Sequence, residues 1–320
     1  MMADRTLPRL SVAMVLLLIS VTIFAVTAIA TGETAQFSLQ GVTGLLQRMV
    51  ALGLVAIGQT FVILVASIDL SVAAVISGTA VLASWLMGGD PAMIVPAVAL
   101  CLGFALAVGL VNGALVAFAG INPLIATLGT GLILQGVLSA SYGSLGGAVA
   151  PVFQQLAYGS LFGIPWSVLA LFGLALTMGG LLNRSVLGAR IFAVGGNPDG
   201  ARLAGIRTGR VILTAHVICS LFAGLAGLYL AARVQSGTPW LGRDGIYDLE
   251  SIAVTVIGGT LLAGGKGGVA GTLAGVFLFA SLDASFNMLG IDAFLKQVLR
   301  GFVIIAAVAV HAVRGRGHVA

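Results

Sequence analysis

Charged residues are scarce in this sequence. Only 8% of its 320 residues are Asp, Glu, Lys or Arg, whereas 59% are hydrophobic and the mean hydropathy is +1.14. A soluble domain normally carries about 25% charged residues. The chain therefore has too little polar surface to coat a water-soluble globule, and its composition predicts a protein that crosses a membrane several times.

Residues that build catalytic and metal sites are equally sparse. The two cysteines, Cys101 and Cys219, lie inside apolar segments and match no metal or redox spacing. The sequence has no Ser/His/Asp spacing typical of a hydrolase, no histidine-rich cluster and no loop long enough for an ATP-binding domain. We therefore expect no active site, no metal and no cofactor bound by this chain, and no nucleic-acid partner. His216 is interpreted as a packed core residue.

Ten apolar segments are separated by polar residues, glycine or proline, and each is interpreted as a membrane-spanning helix. They comprise residues 10–30, 49–66, 70–87, 93–119, 124–140, 164–182, 211–232, 249–263, 269–289 and 294–313. The first is longer than the roughly 7–15 residues of a signal peptide core, so we expect it to be retained. Segments 124–140 and 249–263 are short for a hydrocarbon core of about 30 Å, which predicts helices that break at membrane depth. The expected fold is all-α, with about ten transmembrane helices in one domain, residues 1–320.

The basic residues are unevenly distributed along this predicted topology. With ten spans, the N-terminus, the loop 183–210 and the C-terminus lie on the same side. Nine of the fifteen Lys and Arg residues belong to that side: Arg5, Arg9, Arg184, Arg190, Arg202, Arg207, Arg210, Arg314 and Arg316. Cytoplasmic loops carry an excess of positive charge, so both termini are predicted to be cytoplasmic.

Residues 184–210 form the longest polar stretch on the predicted cytoplasmic side. Pro198 and Asp199 favour a helix start, and Gly205 and Gly209 mark its end. The pattern leaves two interpretations open. The segment is either a short amphipathic helix that docks on a soluble partner or a solvated loop whose arginines only set the topology.

Four segments together resemble the ribose-type permeases of bacterial ABC sugar importers. They read GQTFVILVASIDLSVAAVISG at 58–78, AVGGNPDGARLAGIRTGRV at 193–211, YDLESIAVTVIGGTLLAGGKGGVAGTLAG at 247–275 and GIDAFLKQVLRGFVIIAAV at 290–308. The resemblance runs from about residue 41 to residue 313. It implies a monosaccharide permease subunit in the bacterial inner membrane, surrounded by lipid. Permeases for branched-chain amino acids or nucleosides, and an ATP-independent secondary transporter, are the alternatives.

The resemblance also implies partners and a coupling segment. In this family a second permease copy completes a dimer, a cytoplasmic ATPase subunit binds ATP and Mg²⁺, and a periplasmic sugar-binding protein docks from outside. ATPase coupling is assigned to residues in the cytoplasmic coupling loop 184–210: Gly195, Gly196, Asn197, Asp199, Ala201, Arg202, Leu203, Gly205 and Ile206. Gly200 stands where the family more commonly has alanine, which leaves the length of this helix open.

Polar residues between and within the apolar segments are candidates for the solute pathway or its gates. Asp69 and Ser71 interrupt the second and third spans, where a carboxylate is either functional or caps the next helix. The segment 120–132 resembles 290–302, with Asn122 aligned to Asp292, as an inverted repeat would be. The same segment places Thr127 on the helix that follows.

The last predicted span carries a second set of pathway candidates. Asp292, Lys296 and Arg300 recur every four residues on one helical face. Their spacing predicts either a ladder of intrahelical ion pairs or an aqueous vestibule lined by charge. Asp283 in the preceding span is expected to pair with Arg300.

The glycine-rich stretch GGTLLAGGKGGVAGT, residues 258–272, superficially resembles a phosphate-binding loop. A P-loop requires glycine six residues before the lysine and Ser or Thr after it. Thr260 and Gly267 occupy those two positions around Lys266, so nucleotide binding is not expected. Gly267, Gly271 and Gly275 are four apart, which predicts a seam for close helix packing.

Overall fold

The apolar sequence folds almost entirely as helices. The computed structural model describes residues 11–316, except for the side chains of Ser144 and of residues 306–316. Arg5 and Arg9, and the side chains of Arg314 and Arg316, lie outside the described residues. The α-helices are α1 (Val12–Ala30), α2 (Leu39–Leu64), α3 (Val72–Met87), α4 (Ile94–Ala117), α5 (Pro123–Ser141), α6 (Gln155–Tyr158), α7 (Trp166–Arg184), α8 (Val186–Gly196), α9 (Pro198–Leu203), α10 (Thr208–Val234), α11 (Leu241–Asp244), α12 (Tyr247–Ile257), α13 (Val269–Met288) and α14 (Ala293–Arg316).

Short elements occupy the connections between the long helices. The 3-10 turns are Thr34–Phe37, Pro91–Met93, Tyr142–Ser144 and Pro151–Gln154. Strands β1 (Ser160–Leu161) and β2 (Ile164–Pro165) form an antiparallel hairpin in which Leu161 pairs with Ile164. Phe162 and Gly163 both have positive φ, the conformation that a two-residue hairpin turn requires.

The structure supports the all-α polytopic prediction. Each of the ten predicted spans coincides with one helix, and seven described helices are long and apolar enough to cross a membrane: α1, α2, α4 with its preceding 3-10 turn, α5, α7, α10 and α13. The helices α3 and α12 have 16 and 11 residues and are shorter. The ten-span count and the cytoplasmic termini remain predictions.

The predicted break in the fifth span is wrong. α5 is a continuous helix of 19 residues, because Asn122 caps it and Pro123 occupies its first position. The helix α3 is instead shorter than α5, because Leu70 and Ser71 belong to the segment around Asp69 and the helix begins at Val72. The predicted short span at 249–263 corresponds to α12, whose last turn ends at Ile257.

Two long helices form the centre of the molecule. Every residue from 49 to 64 of α2 is buried, and α10 packs against α2, α3 and α4. Glycines permit the closest of these contacts: a Cβ on Gly109 of α4 would lie 2.8 Å from Val217 Cα, and one on Gly113 would lie 2.8 Å from Leu213 Cα. Peripheral helices such as α5 expose apolar side chains, for example Ile125 and Ile133, as a lipid-facing or partner-facing surface would.

Candidate functional site

The coupling loop contains a short helix with a defined start. Asn197 precedes α9 and its side-chain oxygen accepts a hydrogen bond from the Gly200 N–H at 2.9 Å. Pro198 occupies the first helical position, where its missing N–H costs nothing. The interpretation as a short helix is therefore favoured over a solvated loop, in spite of the glycine at position 200.

The end of α9 is equally well defined. The Gly205 N–H donates to the Arg202 carbonyl and the Ile206 N–H donates to the Ala201 carbonyl, both at 3.0 Å. This pair of bonds is a Schellman motif, and Gly205 has the left-handed φ of +80° that the motif requires. The motif turns the chain sharply from α9 towards α10.

The two faces of α9 differ in exposure. Ala201 is buried and Ile206 packs against the apolar core, whereas Leu203 is 91% exposed. Arg202 and Asp199 are also exposed, and their ion pair is long at 3.9 Å. The helix thus presents one apolar and two charged side chains outward, while its inner face rests on the protein.

The base of the coupling loop touches the end of α2. The Gly265 N–H donates to the Leu64 carbonyl at 3.0 Å, and a Cβ on Gly195 would collide with the same carbonyl oxygen. A Cβ on Gly264 would lie 2.9 Å from both the Ala66 nitrogen and the Gly195 oxygen. The backbone at 64–66, 195–196 and 264–265 is therefore in direct contact without intervening side chains. A displacement of α8 would move the end of α2 through this contact. A Cβ added to Gly196, next to Gly195, would meet no atom within 4 Å, whereas one on Gly265 would lie 2.7 Å from the Gly196 Cα.

Asp69 lies at the centre of a buried polar cluster between α2 and α3. One carboxylate oxygen accepts from the Ser71 N–H at 2.9 Å and from the Ser71 hydroxyl at 2.6 Å. The other accepts from His216 Nδ1 at 3.2 Å. Asn112 Nδ2 donates to the Ser71 hydroxyl at 2.8 Å. The four side chains are fully buried, so the cluster joins the α2–α3 connection to α4 and α10.

The capping interpretation of Asp69 agrees with part of this geometry. The carboxylate accepts the Ser71 N–H just before α3, which begins at Val72 rather than at Leu70. The bond to His216 goes beyond capping. A pathway or gating role for Asp69 and Ser71 stays a prediction.

A Ser/His/Asp arrangement escaped detection in the sequence. Ser67 Oγ lies 2.9 Å from His216 Nε2, while His216 Nδ1 bonds to Asp69. His216 is therefore a buried residue with two partners rather than a packing residue alone. Ser67 is only 3% exposed, so the protein encloses all three side chains of this arrangement. A histidine inside an apolar span is itself the signal that a buried partner is needed.

Thr127 and Asn122 occupy different environments. The Thr127 hydroxyl is buried and accepts a hydrogen bond from the Leu70 N–H at 3.0 Å, which ties α5 to the α2–α3 connection. Asn122 is exposed and accepts from the Leu124 N–H at 2.9 Å as the cap of α5. Of the two residues, only Thr127 is buried beside the Asp69 cluster, where it contacts the backbone of the α2–α3 connection.

A second group of charged side chains joins the helices α2, α12, α13 and α14. It lies away from the coupling loop. Arg300 Nη2 lies 2.6 Å from Asp283 Oδ1, which is the ion pair expected from the sequence. Arg300 Nη1 also lies 3.2 Å from Glu250, and Arg48 lies 2.9 Å from the other oxygen of Asp283. Arg48 and Glu250 were missed because their partners lie on helices that do not directly follow their own in the chain. Because they lie away from the coupling loop, which is predicted to be cytoplasmic, the four residues are named the outward network below.

The outward network lines a half-open cavity of about 240 Å³. Its wall also includes Arg233, Tyr247, Phe279, Phe286 and Val303. A neighbouring groove of about 560 Å³ shares Arg48 and Arg233 with it and adds the polar residues Glu33, Gln36, Gln40, Gln47 and Asn287. The surroundings are polar and wide enough for a small hydrated solute.

The ladder predicted on the last span is absent from the described residues. Asp292 caps α14 by accepting from the Phe294 N–H at 2.9 Å, and Lys296 donates to Asn287 Oδ1. Arg300 forms its ion pairs with Asp283 of α13 and Glu250 of α12. The ladder fails because each of the three side chains has a nearer partner outside its own helical face.

The segments 120–132 and 290–302 share a local conformation. Gly120 and Gly290 both have φ of +67°, and each is followed two residues later by an Asn or Asp that caps the next helix. The similarity covers the helix start only. The inverted repeat therefore stays a prediction.

The glycine seam involves two of the three predicted residues. A Cβ on Gly271 would collide with the Gly258 carbonyl, and one on Gly275 would collide with the Val254 carbonyl, so α12 and α13 are in backbone contact. Gly267 lies outside this helical face, because α13 begins at Val269 and Gly267 has φ of +144° in the preceding turn. Gly267 packs against the Thr260 side chain, and a Cβ at this position would collide with it.

Comparison with known proteins places this geometry in context. The sequence model of the family described as "Branched-chain amino acid transport system / permease component" matches residues 41–308. The chain is 34% identical to the ribose import permease protein of Escherichia coli (strain K12) over 281 residues, 86% of each chain. It is 33% identical to the L-arabinose ABC transporter permease protein of Azospirillum brasilense over 84% of this chain and 79% of the relative. It is 31% identical to the xylose transport system permease protein of Escherichia coli (strain K12) over 87% of this chain and 86% of the relative. No solved structure matches the chain.

Proposed function

Because the chain belongs to the family of permease subunits of bacterial ABC importers, we propose that it forms the translocation pathway of a monosaccharide importer in the inner membrane. The ribose, arabinose and xylose permeases among its relatives support a simple sugar as the solute. Two permease copies form the pathway, a separate ATPase subunit binds ATP and Mg²⁺, and a periplasmic binding protein delivers the sugar.

The exposed face of α9 is the observation that carries the proposal. Leu203 is 91% exposed at the end of a capped helix, with Arg202 and Asp199 beside it. An isolated apolar side chain on a rigid helix suits the groove of a soluble partner. We propose that this face contacts the ATPase subunit. The conformational change that follows ATP binding would then reach the permease through α9.

The contacts at the base of the loop supply a route into the membrane. A movement of α9 and α8 passes through the contact of Gly195 with Leu64 to the α2–α3 connection. The Asp69 cluster then couples this connection to α4 and α10, and the continuous helix α2 reaches the outward network at Arg48. ATP binding shifts the equilibrium between outward-facing and inward-facing states because the partner contacts α9 differently in each.

Reconstitution of the complete transporter tests the proposal. Proteoliposomes that contain the permease, the ATPase subunit and the binding protein are assayed for ATP-dependent uptake of labelled ribose, arabinose and xylose. We expect Leu203→Ala to reduce both uptake and stimulated ATPase activity. Leu289→Ala is the matched control, since Leu289 is exposed in the turn at the far end of α13. Equal activity of the two variants contradicts the assignment of α9.

The description of the matching family names a second solute class, which the uptake assay tests together with the other alternative. Branched-chain amino acids are named in it, so labelled leucine and a labelled nucleoside are included in the same assay. ATP-dependent uptake of leucine or of the nucleoside, without uptake of any sugar, would show that the solute is not a sugar. It would still support the ABC mechanism. Uptake without ATP and without the ATPase subunit contradicts the ABC mechanism and indicates a secondary transporter.

A further inference from the structure

A basic groove lies beside the coupling loop, between α8 and the start of α10. It encloses about 490 Å³. Its lining residues are Leu187, Arg190, Ala204, Gly205, Ile206, Arg207, Arg210, Val211 and Thr214. Neither the coupling assignment nor the solute pathway uses its three arginines.

The groove has a charged end and an apolar end. Arg207 and Arg210 lie at the start of α10, and Val211 and Thr214 follow on the same face at positions i+4 and i+7 from Arg207. Leu187 and Arg190, three residues apart on α8, form the opposite wall. Seven residues of helix span about 10 Å, so the groove runs from the polar loop into the apolar part of α10.

The arginines of the groove have no acidic partner among the described residues. No carboxylate lines the groove, and none of the ion pairs in residues 11–305 includes Arg190, Arg207 or Arg210. Asp199, the acidic residue of the segment 184–210, lies next to Arg202 on α9 instead. Three cations around one concave surface repel each other, and an anion bound between them would offset this repulsion.

An anionic lipid fits both ends of this groove. Arginine forks bind phosphate oxygens in pairs, and basic pockets at the cytoplasmic membrane boundary bind anionic head groups. We propose that the groove binds the phosphate of an anionic phospholipid at Arg190, Arg207 and Arg210, with an acyl chain along Leu187 and Val211. The ATPase subunit is the less suitable occupant, because the side chains of α9 assigned to it, Leu203 and Arg202, do not line the groove. The groove meets the coupling residues only at Gly205 and Ile206, where α9 ends.

Lipid binding at this position has a consequence for coupling. Gly205 and Ile206 line the groove and also form the Schellman motif that ends α9. A bound lipid therefore fixes the end of α9 against α10. We expect stimulated ATPase activity to rise with the fraction of anionic lipid in the bilayer.

Native mass spectrometry of the full-length permease in nanodiscs tests the site. The nanodiscs contain phosphatidylcholine with increasing fractions of phosphatidylglycerol, and lipids retained by the protein are counted. The variant is Arg190→Gln with Arg207→Gln and Arg210→Gln. The control, of equal net charge, is Arg184→Gln with Arg202→Gln and Lys266→Gln, three exposed basic residues outside the groove.

We expect the parent to retain phosphatidylglycerol in preference to phosphatidylcholine. The groove variant should lose at least about tenfold in apparent affinity, as expected for three removed phosphate contacts, while the control changes by less than about twofold. Replacement of the three arginines by lysine keeps the charge but removes the forked contacts, so it should keep more binding than the glutamine variant and less than the parent, which separates loss of charge from misfolding.

Three results overturn the proposal. The first is equal retention by the groove variant and the parent, or equal loss by the control. The second is displacement of the lipid by millimolar inorganic phosphate, which assigns the groove to a free anion. The third is loss of ATPase-subunit binding by the groove variant in pure phosphatidylcholine, which assigns the groove to the protein partner.

Discussion

His216 Nδ1 donates a hydrogen bond to Asp69 at 3.2 Å, although the two residues are 147 positions apart in the sequence. Both side chains are fully buried. The bond fixes the α2–α3 connection against α10. Ser71 and Asn112 complete the same cluster. The residues that interrupt the membrane span are thus held by side chains from two other helices rather than by their own backbone alone.

Replacing Asp69 with Asn should destabilise the permease and impair uptake. The substitution keeps the size of the side chain but places an amide opposite a donor of His216 or Ser71. A buried donor left without a partner costs about 1–3 kcal/mol. Thermal unfolding of the purified permease and sugar uptake by the complete transporter measure the two effects.

Asp90 offers a matched control for that substitution. It is exposed and accepts the Ala92 N–H at 2.8 Å in the same i to i+2 geometry that Asp69 uses with Ser71. Asp90→Asn should change the melting temperature little. If Asp69→Asn behaves like Asp90→Asn, the buried contact with His216 contributes nothing measurable.

A double-mutant cycle on Asp283 and Arg300 should reveal strong coupling. The variants are Asp283→Asn, Arg300→Gln and their combination. The pair is partly buried and shares its partners with Arg48 and Glu250, so we expect a coupling energy within the range of about 0.5–3 kcal/mol found for contacting residues. Chemical unfolding in detergent provides the four free energies of unfolding.

The exposed pair Asp199 and Arg202 is the comparison for this cycle. Its atoms are 3.9 Å apart and both side chains are largely exposed. Exposed ion pairs contribute about 0–1 kcal/mol. Equal coupling in the two cycles contradicts a structural role for the outward network.

The sequence predicted contacts between neighbouring helices better than contacts between distant ones. Asp283 and Arg300 lie on consecutive helices joined by a short turn, so the turn itself limits how far apart the two side chains can lie. Arg48 approaches the same carboxylate from a helix 235 residues away, and no local spacing encodes that approach. Partners of this kind follow from helix arrangement, which hydropathy does not specify.

The helix ends show a similar limit. Asn122 with Pro123, and Pro198 with Asp199, correctly indicated helix starts, because helix initiation depends on neighbouring residues alone. The length of α3 depended on the partners of Asp69 in α4 and α10. The central position of α2 and α10 was not predicted either, since apolar composition is common to helices that face lipid and helices that face protein.

Replacing Gly275 with Ala should destabilise the contact between α12 and α13. The added methyl group would collide with the Val254 carbonyl, and overpacking of this kind costs about 1–3 kcal/mol. Gly301→Ala is the control, because a Cβ on that glycine of α14 meets no atom within 4 Å. Thermal unfolding should show a lower midpoint for Gly275→Ala and an unchanged or higher one for Gly301→Ala. Equal midpoints contradict the backbone contact.

Removing the cap of α9 should loosen the coupling helix without unfolding the permease. Asn197→Ala leaves the Gly200 N–H without its side-chain acceptor, and the loss of an Asn cap costs about 0.5–2 kcal/mol. Hydrogen exchange of residues 198–204, followed by mass spectrometry, should become faster while exchange in α2 stays slow. Asn197→Ser restores a capping oxygen and should return both slow exchange and stimulated ATPase activity. If Asn197→Ala exchanges faster but keeps full stimulation, the order of α9 is irrelevant to coupling, and the partner must bind elsewhere or fold the helix itself.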